Sequence, residues 1–452
     1  MRSDRGRAGR GRDRLPGTHQ GTDDDLSPPV RRHRVRATSQ RPAHEPKGST
    51  MSSTLTLDLA DPEYRLNPWP KYTQLRERPV HFLPEATWDG RDLYVLARYD
   101  QVNDALRNKD RYSSHIQREG MLNVPMLVNR DAPEHTRLRK MANRGFSARL
   151  VRTLGDWVQD HVDTLIDDIL VQDRVEFVEA FTTALPLRVV GGMLGIPLDR
   201  KAELRRWSQG VMDGFAVAAG MDPDLAPGYY EDVLEFSNYM DELAQARLGR
   251  PNPGDILGEL VAQEESGEMT RDELVTMAWS FIAAGHETTM NLLGGGFKTI
   301  LEDPALADRL AENPEDIKEF MEEFLRLYSP TQWLLRRAAT EIDFGDVVVP
   351  EGGLIHVVIG SANRDETRFP DAATFDLDRA NKRDHLAFGA GPHFCPGSSL
   401  SRLLAEHAFA SLLRVRDRFA LDPQDPPKLR TRQGSFGYAY LPVLVQKPGN
   451  AA

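Results

Sequence analysis

Cysteine is almost absent from this sequence, because Cys395 is the only one among 452 residues. A single cysteine excludes an intramolecular disulfide framework, and with it the disulfide-stapled folds of small secreted proteins. The residue is therefore either inert core filling or a reactive or ligating thiol in a reducing compartment, and we expect a cytoplasmic protein. Long apolar runs are absent as well, since none approaches the ~20 residues that a membrane helix requires. No membrane association is expected.

Charge is unevenly distributed along the chain. Residues 1–50 hold 12 Lys and Arg against 6 Asp and Glu, which leaves 45 basic and 62 acidic side chains, a net charge of −17, in residues 51–452. The first fifty residues are rich in Arg, Gly, Ser, Thr and Pro and lack aliphatic periodicity, so they cannot offset the entropy lost on folding. We expect a disordered, non-functional basic extension before a true start at Met51, with a basic nucleic-acid-binding arm as the alternative. The acidic remainder argues against a nucleic-acid partner.

Residues 51–452 are predicted to be mainly α-helical with a small β-rich part. With 40% hydrophobic residues overall, this segment is long enough to bury a large core. No internal repeat or low-complexity linker divides it, so a single large domain is expected. Strand-like runs stand at Tyr94–Leu96, at 347–349 and at 354–359, and the Pro350-Glu351-Gly352-Gly353 between the last two is typical of a hairpin.

An unusually long helix is predicted between Thr270 and Asp303. A Thr-Arg-Asp-Glu capping box opens its apolar periodicity and Pro304 ends it. Its middle reads Ala284-Gly285-His286-Glu287-Thr288-Thr289, which places a glycine, a carboxylate and hydroxyls where a buried helix normally carries aliphatic side chains. Because a buried carboxylate needs a partner or a chemical role, this segment is a candidate site.

This segment has three interpretations, of which the sequence excludes one. The first is simple packing. In the second, Gly285 admits a close neighbour while Thr288 bonds its hydroxyl back to a backbone carbonyl and bends the helix beside a pocket. The third, a zinc-protease helix of the His-Glu-x-x-His type, fails because Met290 takes the place of the second histidine after His286.

The next predicted helix has Pro314 in its first turn and ends before Pro330. Within it Glu323 and Arg326 are three residues apart and face the same side. Such pairs are common on solvated surfaces, so the spacing alone does not indicate a function.

The most informative segment is the loop Phe388-Gly389-Ala390-Gly391-Pro392-His393-Phe394-Cys395-Pro396-Gly397, which precedes a helix predicted from Ser398 to Phe419. Its glycines and prolines force a tight loop that delivers Cys395 just before the helix, whose amide groups and dipole stabilise an anionic sulfur. That position favours a thiolate ligand, although Pro396 has no N–H to donate to it. A dinucleotide-binding loop is excluded because Phe394 stands where a third glycine is needed.

This loop resembles the haem-binding loop of the cytochrome P-450 superfamily, Phe-Gly-x-Gly-x-His-x-Cys-x-Gly-x-x-Leu-x-Arg. The matching positions are Phe388, Gly389, Gly391, His393, Cys395, Gly397, Leu400 and Arg402. Three further segments are similar to motifs of the superfamily and occur in its order: the oxygen-activation motif at Ala284-Gly285-x-Glu287-Thr288, the Glu-x-x-Arg pair at Glu323 and Arg326, and the stretch that completes this pair at Phe375-Asp376-Leu377-Asp378-Arg379.

The resemblance implies the triangular, mostly helical fold of that superfamily, with haem b between the long helix and the Cys395 loop. Cys395 is the expected axial ligand of the iron, and Phe388, Gly389 and Gly397 of the loop are expected to contact the cofactor. The same resemblance gives Glu287 and Thr288 the delivery of protons during dioxygen activation. The haem propionates need cationic partners, and the resemblance points to four: His135, Arg139, Arg336 and His393. Glu323, Arg326 and Arg379 are expected to be structural.

The implied activity is insertion of one oxygen atom of O2 into a small, largely apolar organic substrate, for example a secondary-metabolite intermediate. Electrons would come ultimately from NAD(P)H through a separate ferredoxin and ferredoxin reductase, because no flavin or nicotinamide module is recognised. A monomer is expected. The predicted pocket walls are the 112–130 loop, the 210–230 segment, Ala283, Ala284, Trp333 and Leu334.

Two points stay open. Arg402, Arg414, Arg416 and Arg418 form either a basic face for an acidic electron donor or an ordinary solvated helix face. A haem protein that only transfers electrons or senses gas, or a peroxide-driven peroxygenase, is the alternative function, but the acid and alcohol at Glu287 and Thr288 favour dioxygen chemistry.

Overall fold

The computed structural model describes residues 61–87, 89–116, 126–146, 148–218, 223–250, 255–430 and 434–447. The predicted extension and the start at Met51 lie outside the described residues, as do positions 117–125 and 219–222 of the predicted pocket walls. The described residues belong to one compact unit.

Helices make up most of the described chain. They are α1 Pro62–Leu66, α2 Trp69–Leu75, α3 Tyr99–Arg107, α4 Glu134–Gly145, α5 Ala148–Thr153, α6 Gly155–Leu170, α7 Ala184–Met193, α8 Lys201–Ala218, α9 Tyr229–Gln245, α10 Ile256–Glu265, α11 Arg271–Glu302, α12 Pro304–Glu312, α13 Asp316–Tyr328, α14 Ile359–Ala362 and α15 Ser398–Arg414. A π-helix at Val178–Thr183 leads directly into α7.

The strands are short: β1 His81–Leu83, β2 Leu93–Leu96, β3 Tyr112–Ser113, β4 Arg174–Glu176, β5 Leu334–Ala338, β6 Ile342–Asp343, β7 Val348–Val349, β8 Leu354–Val357, β9 Phe419–Leu421, β10 Lys428–Leu429, β11 Tyr438–Tyr440 and β12 Pro442–Val445. The largest sheet has the order β1-β2-β8-β5-β3, in which β2 and β8 run parallel. A second sheet has the order β4-β12-β9. The sequence therefore predicted correctly a mainly helical fold with a small β part.

The long central helix α11 begins as predicted. Thr270 accepts a hydrogen bond from the backbone N–H of Glu273, whose side chain accepts one from the Thr270 N–H, and Asp303 caps the other end. Two glycines let neighbouring helices approach α11 closely: a Cβ on Gly295 would lie 2.4 Å from Phe324 of α13, and one on Gly296 would lie 2.4 Å from Phe409 of α15. The helix α11 thus packs closely against α13, which carries Glu323 and Arg326, and against α15, which follows the Cys395 loop.

Two local predictions were wrong. The strands at 348–349 and 354–357 do not pair with each other, because β7 pairs with β6 whereas β8 lies between β2 and β5. All four residues of β8 are buried, as suits a central strand, and Ile359 already belongs to α14. The predicted helix from Ser398 also stops early, at Arg414, because Phe419 enters β9 and pairs with β12. Phe419 is buried in that strand, which is why the apolar pattern continued to it.

Among the described residues, none of the helices has both the length and the apolar content needed to cross a bilayer.

Candidate functional site

The Cys395 loop is held rigidly by its backbone. Gly389 and Gly391 have φ of 72° and 66°, which only glycine adopts without strain. A Cβ on Gly391 would also lie 2.8 Å from the carbonyl oxygen of Leu106, at the end of α3. The Cys395 N–H donates to the carbonyl of Phe388 at 2.9 Å and closes the loop. This geometry presents the sulfur just before the first turn of α15.

The surroundings of the Cys395 sulfur act on it in opposite directions. Burial raises the pKa of the thiol, whereas the backbone N–H groups of Gly397 and Ser398 and the charges of Arg139 and Arg402 lower it. Pro396 provides no donor, so the amides that reach the sulfur come from the two residues after it. The loop therefore supplies donors for a thiolate, in agreement with the predicted position at a helix N-terminus.

Four cationic or ionisable groups named from the sequence lie around one small region. The rings of His135, from α4, and His393, from the loop, contact each other with their centroids 4.0 Å apart and their planes tilted by 35°. Arg336 of β5 is 3% exposed. Burial, followed by the neighbouring charges of His135 and Arg336, lowers the pKa of His393 to about 3, and burial lowers the pKa of Arg336 to about 10. Arg139 donates to Asn143 at 2.9 Å, and burial lowers its pKa.

Two buried nitrogen atoms of this cluster are unpaired among the described residues. Among the described residues, His135 Nε2 and Arg336 Nη2 are buried with no hydrogen-bond partner. They border a cavity of 190 Å³ whose lining residues are Ala105, Leu106, Arg107, Lys109, Tyr112, Ser114, Asp131, Ala132, His135, Thr136, Arg336, Pro392 and His393. Buried donors of this kind need an anion to pair with. The residues therefore fit a group with carboxylate substituents, as the haem propionates are.

The oxygen-activation segment is exposed at one side of a helix that is otherwise buried. Ala284 is exposed and Thr288 partly exposed, while their neighbours from Met277 to Ala283 are nearly all buried. Thr288 Oγ1 donates to the carbonyl of Ala284 at 2.7 Å, which is the back-bond that the sequence indicated. Glu287 is only 4% exposed. Residues 284 and 288 lie one turn apart and hence face the same side.

Ala283 does not share that open side. It is 1% exposed and belongs to the main hydrophobic core. Successive helical residues point about 100° apart, so Ala283 and Ala284 point in different directions, and a place for Ala283 in the pocket wall stays a prediction.

Gly285 and His286 contact the neighbouring helices α7 and α8. A Cβ on Gly285 would lie 3.0 Å from Val190 of α7, so the close neighbour that the glycine admits is a side chain of the fold. His286 Nδ1 lies 3.0 Å from Ser208 Oγ of α8, a buried contact. In the described ranges no group of three His, Cys, Asp or Glu side chains is placed to bind a metal ion.

The Glu323 network is a buried ionic cluster rather than a surface pair. Glu323 and Arg326 are both 0% exposed and make two hydrogen bonds of 2.8 Å. Arg379 donates to the same carboxylate at 3.1 Å. Both arginines also donate to backbone carbonyls between residues 363 and 374. The structure therefore brings these three residues together and ties them to the backbone of residues 363–374, which precede the Cys395 loop in the chain.

The two remaining pocket residues lie on or beside β5. The Trp333 ring packs against the His356 ring, with 4.4 Å between the centroids. Gly434 also packs against the indole, since a Cβ on Gly434 would lie 3.2 Å from it. Leu334 is partly buried beside the core cluster around β8. Trp333 thus joins the sheet to the chain that follows position 433.

Several contacts around the site were not predicted from the sequence. Ser114 Oγ lies 3.0 Å from His393 Nε2, and its N–H donates to Asp131 at 2.9 Å. Asp131 precedes His135 by one helical turn, a spacing that was visible in the sequence. Glu322, next to Glu323, binds Arg402. No local pattern gives these contacts, because each joins segments far apart in the chain.

The predicted basic face is largely neutralised. Arg402 pairs with Glu322, Arg414 with Asp163, and Arg416 with Asp308. Arg418 donates to the backbone carbonyls of Gln446 and Leu170. The four arginines are thus engaged by acids or carbonyls, which favours the solvated helix face among the two alternatives that the sequence left open.

Comparison with known proteins decides the family. The family model described as Cytochrome P450 matches residues 60–446. The chain belongs to the cytochrome P450 family. Cytochrome P450 107B1 of Saccharopolyspora erythraea is 34% identical over 374 residues, which are 78% of this chain and 89% of that protein. Cytochrome P450 monooxygenase PikC of Streptomyces venezuelae is 33% identical over 390 residues, 83% and 90% of the two chains.

The solved structures agree. The structure of cytochrome P450 CYP109Q5 from Chondromyces apiculatus superimposes with a TM-score of 0.75 at 27% identity and covers 86% of this chain and 98% of that one. The chain accordingly has the cytochrome P450 fold. It is a haem-thiolate monooxygenase, an oxidoreductase that uses haem b and O2 with electrons derived from NAD(P)H.

Proposed function

We propose that Cys395 is the thiolate ligand of the haem iron, and that His135, Arg139, Arg336 and His393 bind the propionates. The observation that carries this proposal is the pair of buried donors, on His135 and Arg336, that lack partners among the described residues. Two carboxylates would satisfy them and would remove the mutual repulsion within the cluster. The Gly397 and Ser398 amides support a thiolate on the other side of the site. Phe388 and Gly389 hold the loop that carries it.

Haem bound in this way supplies the iron at which dioxygen is activated. The chain's own contribution on the opposite side comes from Glu287 and Thr288. Thr288 keeps its hydroxyl at the open side of α11 through the bond to Ala284, where the hydroxyl can hold a water molecule. Glu287 is a buried carboxylate one residue away and passes protons from its surroundings to that water.

The substrate is a small and largely apolar organic molecule, such as an intermediate of secondary metabolism. Our candidates for its apolar binding surface are Ala284, which shares the open side of α11 with Thr288, and Trp333 and Leu334 at the start of β5. Such walls would bind by burial of apolar area and leave few directional contacts. Electrons reach the haem from a separate ferredoxin and its reductase.

Adjacent arginines on β5 provide a test of the propionate assignment. Arg336 is 3% exposed and lies in the cluster, whereas Arg337 points to the other face of the strand. In Arg336→Gln we expect haem to leave for an acceptor apoprotein roughly tenfold faster or more, because a charge-assisted bond contributes about 1.5–3 kcal/mol. Arg337→Gln is the matched control and should release haem at the wild-type rate.

Equal haem release from the two variants would contradict the assignment of Arg336. Substrate class is tested separately, by screening apolar ligands for a shift of the haem absorption band. Each ligand that shifts the band is then tested for oxygen consumption with a surrogate ferredoxin and reductase. A protein that only carries electrons would show no ligand-dependent oxygen consumption.

A further inference from the structure

Glu322 is a buried carboxylate that the activity described above does not use. It stands next to Glu323 in α13 and is 3% exposed, but it takes no part in the Glu323 network. Its two oxygens accept hydrogen bonds from Arg402 of α15, Nε at 2.6 Å and Nη2 at 3.0 Å. His385 Nε2 lies 3.1 Å from the same carboxylate. Glu322 therefore holds a side chain from each of two segments that flank the Cys395 loop.

His385, the second side chain that Glu322 holds, also accepts a backbone hydrogen bond. The Ala387 N–H donates to Nδ1 of His385 at 3.1 Å, so Nδ1 is the acceptor and Nε2 carries the proton that points to Glu322. The two-point contact between Glu322 and Arg402 fixes the plane of the guanidinium as well as its place. Such a fork contact is not reproduced by lysine.

Arg402 connects Glu322 to the loop. Its guanidinium carbon lies over the Phe388 ring, 4.4 Å from the centroid. The carbonyl of Phe388 accepts the hydrogen bond from the Cys395 N–H. The positive charge of Arg402 also favours the thiolate form of Cys395. A cation is thus stacked on the aromatic side chain of the residue that closes the ligand loop.

We propose that Glu322 is a positioning residue for the haem reduction potential, because it holds the Arg402 guanidinium over Phe388 and close to the Cys395 thiolate. This inference rests on the proposed ligation of iron by Cys395. Reduction of the haem by one electron adds negative charge next to the thiolate, and a nearby cation stabilises the added charge. The arginine therefore raises the potential, and Glu322 acts through it.

The sign of each effect follows from this arrangement. Arg402→Met removes the cation at a partly exposed position and should make the potential more negative. We expect a change on the order of tenfold in the equilibrium constant of reduction, which is about 59 mV for one electron. Glu322→Gln frees the guanidinium to leave the ring, which shifts the potential in the same direction, whereas loss of the carboxylate's own negative charge shifts it in the opposite direction. Arg402→Lys keeps the charge but not the fork, so it should recover part of the shift.

The experiment is a spectroelectrochemical titration of the purified haem protein and of these variants, with the absorption spectrum of the reduced CO complex recorded for each. Glu319→Gln is the matched control, since Glu319 also lies on α13 and binds two cations, Lys382 and Arg383, but does not contact the loop residues. Its potential should equal that of the wild type. A double variant, Glu322→Gln with Arg402→Met, completes a cycle that separates direct from indirect action.

In the Arg402→Met background Glu322→Gln should shift the potential only in the positive direction, through loss of its own negative charge. In the wild-type background the same substitution should give a more negative shift than that, and the difference is the part that acts through Arg402. Equal shifts in the two backgrounds would show that Glu322 does not act through Arg402 and would overturn the inference, as would a wild-type potential in Arg402→Met. If the wild-type protein itself lacks the red-shifted band of a thiolate-bound haem, the assignment of Cys395 fails and this inference fails with it.

Discussion

Removal of the Glu323 carboxylate should destabilise the whole fold. The carboxylate is completely buried and accepts hydrogen bonds from Arg326, from Arg379 and from the backbone N–H of Asp376. Glu323→Gln keeps the shape but leaves two buried guanidinium groups without their counter-charge. Breaking a buried ion pair on one side typically costs about 3–5 kcal/mol. The arginines retain carbonyl acceptors, which keeps the loss within that range.

For a chain of this size, such a loss lowers the melting temperature by roughly 4–6 °C, because the melting entropy grows with chain length. Differential scanning calorimetry of the haem protein measures this directly, together with the ratio of haem absorbance to protein absorbance. Glu406→Gln is the control, since Glu406 forms only an exposed pair with Lys318 and should melt like the wild type. A Glu323→Gln protein with wild-type melting temperature and full haem content would refute the view that the cluster of Glu323, Arg326 and Arg379 stabilises the fold.

Three further outcomes are expected. Thr288→Ala should consume oxygen at a near-normal rate but release more of it as H2O2 and less as product, whereas Thr299→Ala, which loses the same kind of back-bond to Gly295, should stay coupled. His356 is fully buried, its pKa is lowered by burial to about 3, and neither ring nitrogen has a partner among the described residues. Below pH 6.5 the unfolded chain binds a proton that the folded chain does not, so His356 lowers stability as the pH falls towards 3. His356→Leu should therefore raise the melting temperature at pH 7 and more so at pH 5, where the linked difference adds about 2 kcal/mol; an unchanged pH profile would contradict the burial of a neutral ring. A chain that begins at Met51 should bind haem and turn over like the full chain, and loss of haem on that truncation would refute the prediction that the basic extension has no role.

Features that depend on neighbouring residues could be predicted from the sequence. The capping box of α11, the glycines of the Cys395 loop and the position of the thiol before a helix all follow from local chemistry. The side that Ala284 and Thr288 share follows from their spacing on a helix.

Features that depend on partners far apart in the chain could not be predicted from the sequence. β8 does not pair with the strand just before it, because its four buried residues need neighbours on both sides. The arginines on and after α15 pair with acids that are distant in the chain, Arg414 with Asp163 and Arg416 with Asp308, and the sequence around them does not reveal these partners. The contacts of Ser114 and Glu322 are equally non-local, which is why these residues carried no signal in the sequence.

The most direct test of the account is the absorption spectrum of the reduced protein under CO, for the wild type and for Cys395→Ser. Cys395 is the only cysteine in the chain, so no other thiolate can replace it. We expect the wild type to show the red-shifted Soret band of haem with a thiolate opposite the CO, and the variant to lose it while it keeps the same secondary structure. Persistence of that band in Cys395→Ser would contradict the assignment of the ligand.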